Sequence, residues 1–251
     1  MVNFVGAGCG AADLITVRGM RLLQQADVII YAGSLVNPQL LEYAGDGCRV
    51  YNSAYMTLDE VIEVMRSAEA QGKMTVRLHT GDPCLYGAVR EQFDRLDSLG
   101  IAYEVCPGVS SFCGAAASLK AEYTLPDVSQ TVIISRMEGR TAVPEKEKIE
   151  LLAGHNATMV IFLSTGLLRE LSAVLRNGGY SPDAPAAIVY KASWSDEKIC
   201  RCTVSSLAET AEENNIKKTA LICVGNFLGS YYSLSKLYDK EFETGFRKAA
   251  K

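Results

Sequence analysis

The sequence predicts an α/β protein made of two α/β domains of similar size, and three observations predict it. Short apolar runs alternate with amphipathic stretches along the 251 residues, the pattern of strand and helix in succession. Glycine turns follow several of those runs, as they do where a strand hands over to a helix. A polar stretch at residues 120–129, containing Pro126, interrupts the alternation near the middle of the chain and reads as a boundary. The expected domains are residues 1–119, which carry the glycine loops, and residues 120–251.

In the first half, strands are expected at residues 2–5, 27–31, 74–78 and 102–105, and helices at 14–25, 58–71, 88–99 and Ser111–Leu119. Gly100 closes the third helix, and small residues dominate the fourth. Strand-helix alternation of this kind makes parallel-sheet units the natural reading. In the second half, strands are expected at 131–134, 159–163, 186–190, 198–204 and Ala220–Val224, with helices at 145–153, 167–177 and 206–214. The tail, 234–251, is charged and reads as an exposed helix or a frayed end. There is no repeat of fixed period and no low-complexity segment.

A composition of 48% hydrophobic and 22% charged residues suits a soluble protein with a sizeable core. The opening residues show no basic segment leading into an apolar run, and no later run approaches a membrane span, so a cytoplasmic location is expected. The eight cysteines are scattered, without the spacing of a disulfide scaffold, and are expected to be reduced. Cys200 and Cys202 are too close and lack a second cysteine pair, and His79 and His155 are the only histidines, so no metal site is expected. A net charge of −4 argues against a nucleic-acid partner. A small anionic substrate remains compatible, given local arginines such as Arg77, Arg136 and Arg140.

Three glycine loops carry the candidate chemistry. Gly6-Ala-Gly-Cys-Gly10 follows the first strand, where glycines let backbone amides approach a ligand. A nicotinamide dinucleotide fold would also need an acidic residue ending the second strand, and that strand ends Ile30-Tyr31-Ala32-Gly33; a structural turn is the plain alternative. Thr80-Gly-Asp-Pro-Cys-Leu-Tyr-Gly87 occupies the carboxyl end of another strand, the place where open α/β sheets bind ligands. Asp82 either accepts from a ligand or caps a helix starting after Pro83. Pro107-Gly-Val-Ser-Ser111 again joins strand to helix, and Ser110 and Ser111 either grip an anion at a helix start or serve as N-caps. No nucleophile and base accompany these loops, so the cleft suits a cofactor that brings its own reactivity.

Taken together and in this order, Val5-Gly-Ala-Gly-Cys-Gly-Ala-Ala-Asp-Leu-Ile-Thr16, Gly81-Asp-Pro83 and Pro107-Gly-Val-Ser-Ser111 resemble the tetrapyrrole methylase family, and the likeness extends over nearly the whole chain. Three further stretches resemble the branch of the family that methylates C-11 of precorrin-4 or its cobalt form. They are Ala26-Asp-Val-Ile-Ile-Tyr-Ala-Gly-Ser-Leu-Val-Asn-Pro38, Thr124-Leu-Pro-Asp-Val-Ser-Gln-Thr131 and Gly139-Arg-Thr-Ala-Val-Pro-Glu145. The first loop departs from the family pattern, which usually has proline at position 9 and an acidic residue then proline at positions 11 and 12.

The resemblance implies S-adenosylmethionine held in a cleft between two α/β domains, a tetrapyrrole substrate and a homodimer. It places cofactor contacts on Cys9, Thr80, Gly81, Asp82, Leu85, Ser110, Ser111, Leu163, Ala192 and Ala220. Leu163, following an apolar strand, reads equally well as plain core. The substrate it implies carries many carboxylates, which guanidinium forks match; Arg136, Arg140, Ser34, Asn37 and Tyr86 are the expected substrate contacts, with plain surface solvation the alternative for Arg136 and Arg140, and Arg77 either a further contact or a structural ion pair. Methyl transfer to an electron-rich ring carbon that becomes quaternary needs alignment more than a base, so no catalytic acid or base is assigned. Methylation at another tetrapyrrole position, or a carrier that keeps the fold without catalysis, are the alternatives.

Overall fold

Five apolar runs in the first half pair side by side in the computed structural model, which describes residues 1–249. They are β1 (Val2–Gly6), β2 (Val28–Tyr31), β3 (Arg49–Asn52), β4 (Thr75–His79) and β5 (Tyr103–Cys106), in the spatial order β3-β2-β4-β1-β5. Every pairing is parallel. Side chains of a strand alternate between faces, and here each face has its own core. Val5, Ile29, Val76 and Leu78 join Leu23 and Leu40 on one face. Phe4, Val28 and Ile30 join Val61, Ile62, Met65 and Leu96 on the other.

The helices are α1 (Val17–Gln25), α2 (Leu58–Ala70), α3 (Arg90–Ser98) and α4 (Ser111–Leu119). Thr16 caps α1 by accepting from Gly19, and Thr57 with Glu60 forms a reciprocal capping box at α2. Two starts fall later than the periodicity suggests. Residues Ala12–Leu14 form a separate 3₁₀ turn before α1, and Tyr86 and Ala88 have left-handed backbones (φ 55° and 49°) that delay α3 to Arg90. The strand β3 was not expected from the sequence. It is a four-residue edge strand with Arg49 and Val50 exposed, so it lacks the apolar run that marks a buried one.

The second half forms β6 (Val132–Arg136), β7 (Thr158–Phe162), β8 (Pro185–Tyr190), β9 (Lys198–Thr203) and β10 (Ala220–Val224), in the order β6-β7-β10-β8-β9. Only β6 and β7 run parallel; the other three pairings are antiparallel. Helices α5 (Ile149–Ala153), α6 (Leu168–Asn177) and α7 (Leu207–Glu213) complete it. Its core gathers Ile161, Ile188 and Ile222 from the sheet with Leu171, Leu175 and Leu207 from the helices. Past residue 228 the described chain is irregular apart from a 3₁₀ turn at Lys236–Tyr238, so no regular α-helix forms in the tail as far as residue 249.

Two compact units result. One is Met1–Ser118 together with Lys191–Glu197; the other is Leu119–Tyr190 with the chain from Lys198 onward. The short link between β8 and β9 thus belongs with the first unit. No helix among the described residues is long and apolar enough to cross a membrane.

Candidate functional site

The strand order explains why three loops distant in sequence meet. With β1 flanked by β4 and β5 and all three parallel, the loops at residues 6–12, 80–87 and 107–111 leave neighbouring carboxyl ends. Gly6 stands opposite His79 and Val5 opposite Cys106, so the ends are level. Ala7 donates to the His79 carbonyl (2.7 Å), and Gly8 and Gly81 exchange backbone hydrogen bonds of 3.2 and 3.0 Å. A β-carbon built on Gly108 would lie 2.2 Å from the Gly81 carbonyl oxygen, and one on Gly6 would lie 2.6 Å from the same oxygen and from Gly108. Only glycine fits where three backbones touch in this way.

Asp82 fastens the second loop to the third. Its carboxylate accepts from the amide of Cys84 within its own turn and from the amide of Gly108 across the gap, each at 2.8 Å. Partial burial pushes this carboxyl up, but the Cys84 and Gly108 hydrogen bonds outweigh it and hold the group below its ordinary value. No helix starts after Pro83, so Asp82 is not an N-cap; residues 83–86 form turns. Ser110 is: buried, with its carbonyl accepting from Cys113 and Gly114, it stands at the N-cap position of α4. The amide of Ser111 lies 3.5 Å from where a Gly81 β-carbon would sit, so the start of α4 opens onto the second loop.

The segment Lys191–Glu197 completes this surface. Ser193 Oγ accepts from the Ala11 amide (3.0 Å) and lies 3.4 Å from the Cys9 thiol. Trp194 and the Ala192 carbonyl fill the space beside Gly10, where a β-carbon would come within 2.3 and 2.5 Å of them. Glu197 accepts from the Ser118 hydroxyl of α4 (2.6 Å) and from the Ser193 amide (2.5 Å). None of Ser193, Trp194 or Glu197 was a sequence candidate. The one available signal was the molecule's sole tryptophan in a seven-residue polar link between two strands.

The expected site residues divide as follows. Cys9, Thr80, Gly81, Asp82, Leu85, Ser110, Ser111 and Ala192 share the first unit's loop surface, and Tyr86 stands exposed on the second loop. Ser34 belongs to a 3₁₀ turn after β2, and its side chain is outside the described set. Asn37 is committed to the fold. It donates to the Gly10 carbonyl (2.9 Å) and to Gln39, and accepts from the Gln39 amide, so it acts on the first loop through Gly10.

In the second unit, Leu163 and Ala220 lie at one end of the sheet, tied by Thr165 Oγ1 donating to the Ala220 carbonyl (3.2 Å). Leu163 is not core: it is 65% exposed with φ 53°. Arg136 donates to the carbonyls of Met137, Thr141 and Ala142 at 3.1, 3.1 and 2.8 Å. It therefore shapes the loop that presents the exposed Arg140. Arg77 forms no ion pair among the described residues. Buried under α3, it donates to Gln92 (3.0 Å) and the Ile30 carbonyl (3.1 Å), and burial pulls its guanidinium down to about 10.

His79, buried beside Phe4, is pushed down to about 3 by burial and by the Arg77 charge. A neutral imidazole sealed from solvent is no proton shuttle. All eight cysteines are unpaired, and no cluster of metal-ligating side chains occurs among the described residues.

A family described as tetrapyrrole (corrin/porphyrin) methylases matches residues 1–208. The chain belongs to that family. This methylase is 55% identical to the cobalt-precorrin-4 C(11)-methyltransferase of Methanocaldococcus jannaschii, over all of its own length and 97% of the relative's. The X-ray structure of a cobalt precorrin-4 methyltransferase of cobalamin biosynthesis is similar at TM-score 0.89 and 47% identity, over 91% of this methylase and 96% of that chain. A uroporphyrin-III C-methyltransferase from Thermus thermophilus, solved with S-adenosylhomocysteine, matches at TM-score 0.75 and 25% identity, over 91% and 93% of the two chains.

Proposed function

We propose that the protein methylates C-11 of cobalt-precorrin-4 in cobalamin biosynthesis, with S-adenosylmethionine as donor, and that the donor binds on the glycine-loop surface of the first unit. The observation that carries the placement is the interlock of three loops at the carboxyl ends of β4, β1 and β5. The similarity to C-11 methyltransferases carries the choice of substrate.

The residues present fit such a donor. The first-turn amides of α4 face the Gly81 turn and suit a carboxylate, and Asp82, kept ionised, retains lone pairs for an ammonium or a hydroxyl. When bound, the donor supplies an electrophilic sulfonium methyl and departs as S-adenosylhomocysteine. The protein aligns that methyl with the ring carbon, and positioning of this kind is worth about 7 to 11 kcal/mol. The carbon becomes quaternary, so no proton has to leave it; the positive charge given up by the sulfonium passes to the conjugated ring, which can release it as a ring N–H proton, and the buried His79 takes no part. Arg140, held out on the loop that Arg136 shapes, is assigned to a substrate carboxylate. Leu163 and Ala220 are assigned to the donor on the family resemblance, as are homodimerisation and a cytoplasmic location.

Calorimetric titration with S-adenosylhomocysteine and an anaerobic assay with cobalt-precorrin-4 test this reading. Asp82→Ala is expected to weaken donor binding at least tenfold, the scale of about 1.4 kcal/mol for a charge-assisted contact; undiminished binding would count against the placement. Arg140→Ala is expected to raise the KM for the tetrapyrrole about tenfold with donor affinity and Tm unchanged. Arg136→Ala is expected to open residues 137–143 to protease as well.

A further inference from the structure

We infer that Ser193 and Glu197 are positioning residues of the donor site: they form a clamp that sets the first glycine loop in its binding conformation. This rests on the placement of the donor proposed above and adds to it a part of the chain that no glycine motif marks.

The first glycine loop carries little of its own that would hold it rigid. Residues 6–12 read Gly-Ala-Gly-Cys-Gly-Ala-Ala, with no proline to fix a φ angle and no carboxylate, amide or hydroxyl to hydrogen-bond within the loop itself. Gly8 at φ 82° adds freedom. Something outside the loop has to restrict it.

The Lys191–Glu197 segment does so at three successive residues. Ser193 Oγ takes the Ala11 amide and lies against the Cys9 thiol, while Trp194 and the Ala192 carbonyl leave no room beside Gly10. Cys9 is pinned from its other side by Gly114 of α4, where a β-carbon would come within 2.9 Å of the thiol sulfur.

The clamp is itself anchored. Glu197 folds back on the Ser193 amide and reaches the Ser118 hydroxyl of α4, so one carboxylate oxygen joins the segment to the helix whose first turn is assigned to the donor. Lys191 pairs with Asp196 (2.6 Å) and lies over the Trp194 ring, 5.2 Å from its centre. The backbone bears a cost for this shape: Lys191 and Ser193 are left-handed, at φ 47° and 66°. Non-glycine residues hold that conformation where surrounding contacts over-determine it.

The strain at Ser193 supplies a test that separates positioning from folding. Ser193→Gly removes the hydroxyl and at the same time relieves the backbone, so a merely structural role predicts an unchanged or higher Tm and an unchanged site. The clamp predicts that S-adenosylhomocysteine binds the full-length Ser193→Gly protein at least tenfold more weakly at an unreduced Tm, with the KM for S-adenosylmethionine raised and kcat at saturation retained. Glu197→Gln keeps one acceptor and is expected to fall between wild type and Glu197→Ala. Asp82→Ala serves as the reference. Weakened binding in Asp82→Ala with Ser193→Gly within twofold of wild type overturns the clamp and leaves the glycine-loop site standing. Binding within twofold of wild type in both overturns the clamp and the site together.

Discussion

In the first unit the glycine loops assigned to the donor come from the ends of adjacent parallel strands, whereas in the second Leu163 and Arg140 stand on bends fixed by their own local devices. Parallel pairing forces β1, β4 and β5 to deliver their loops to the same edge, and three glycines then let the backbones touch. The second sheet is mostly antiparallel, so its ends face alternate ways and no such convergence arises. There a guanidinium holding three carbonyls shapes one loop, and a left-handed leucine ends one strand. Topology places the first set; individual side chains place the second. Substitutions ought therefore to act on the first surface as a whole and on the second one residue at a time.

The largest test of that contrast is a glycine pair. Gly108→Ala drives a β-carbon to 2.2 Å from the Gly81 oxygen, with backbone on both sides and no side chain able to yield. A cost of about 3 kcal/mol or more, together with loss of S-adenosylhomocysteine binding, is expected. Gly166→Ala in the second unit meets nothing within 4 Å and is expected to leave both quantities unchanged. Equal effects at the two glycines would break the comparison.

Next in size is a pH effect confined to the first unit's sheet. Folding pulls His79 from its ordinary value of 6.5 to about 3. Between those values the unfolded chain binds a proton that the folded chain refuses, so stability is full above about 6.5 and is lost as pH falls. Denaturant midpoints of His79→Leu are expected to show an acid-side slope shallower by up to about 1.4 kcal/mol per pH unit. A slope equal to that of wild type would mean that the imidazole charges inside the fold.

The smallest effect belongs to Leu163. Glycine accepts its left-handed backbone at no steric cost, which offsets glycine's own entropy loss. Leu163→Gly is therefore expected to keep the Tm or raise stability by up to about 1 kcal/mol while donor affinity falls severalfold. Unchanged affinity would remove Leu163 from the donor's contacts.

Periodicity made the alternation of strands and helices legible, and the glycine loops announced themselves because each follows an apolar run. Strand order was not legible: nothing local says that β1 lies between β4 and β5, and that neighbourhood is what makes three loops one surface. The edge strand β3 was missed because Arg49 and Val50 face outward and leave no apolar pattern. The antiparallel character of the second sheet was partly within reach. Seven residues between β8 and β9 are too few for a parallel crossover, and that length alone predicts a hairpin. The role of those seven residues was out of reach, because every partner of Ser193 and Glu197 outside the segment is remote in sequence.

The Ala11 to Ser193 hydrogen bond spans 182 residues, and that distance has a consequence for synthesis. A chain emerging from the ribosome can lay down β1 to β5 early, since strands and helices of the first unit are neighbours in sequence, but contacts of such long range form late. The first glycine loop stays unfinished until residue 197 has been made and has come back to it. A chain interrupted between residues 112 and 190 would thus carry all three glycine motifs and still lack the segment that shapes the first of them.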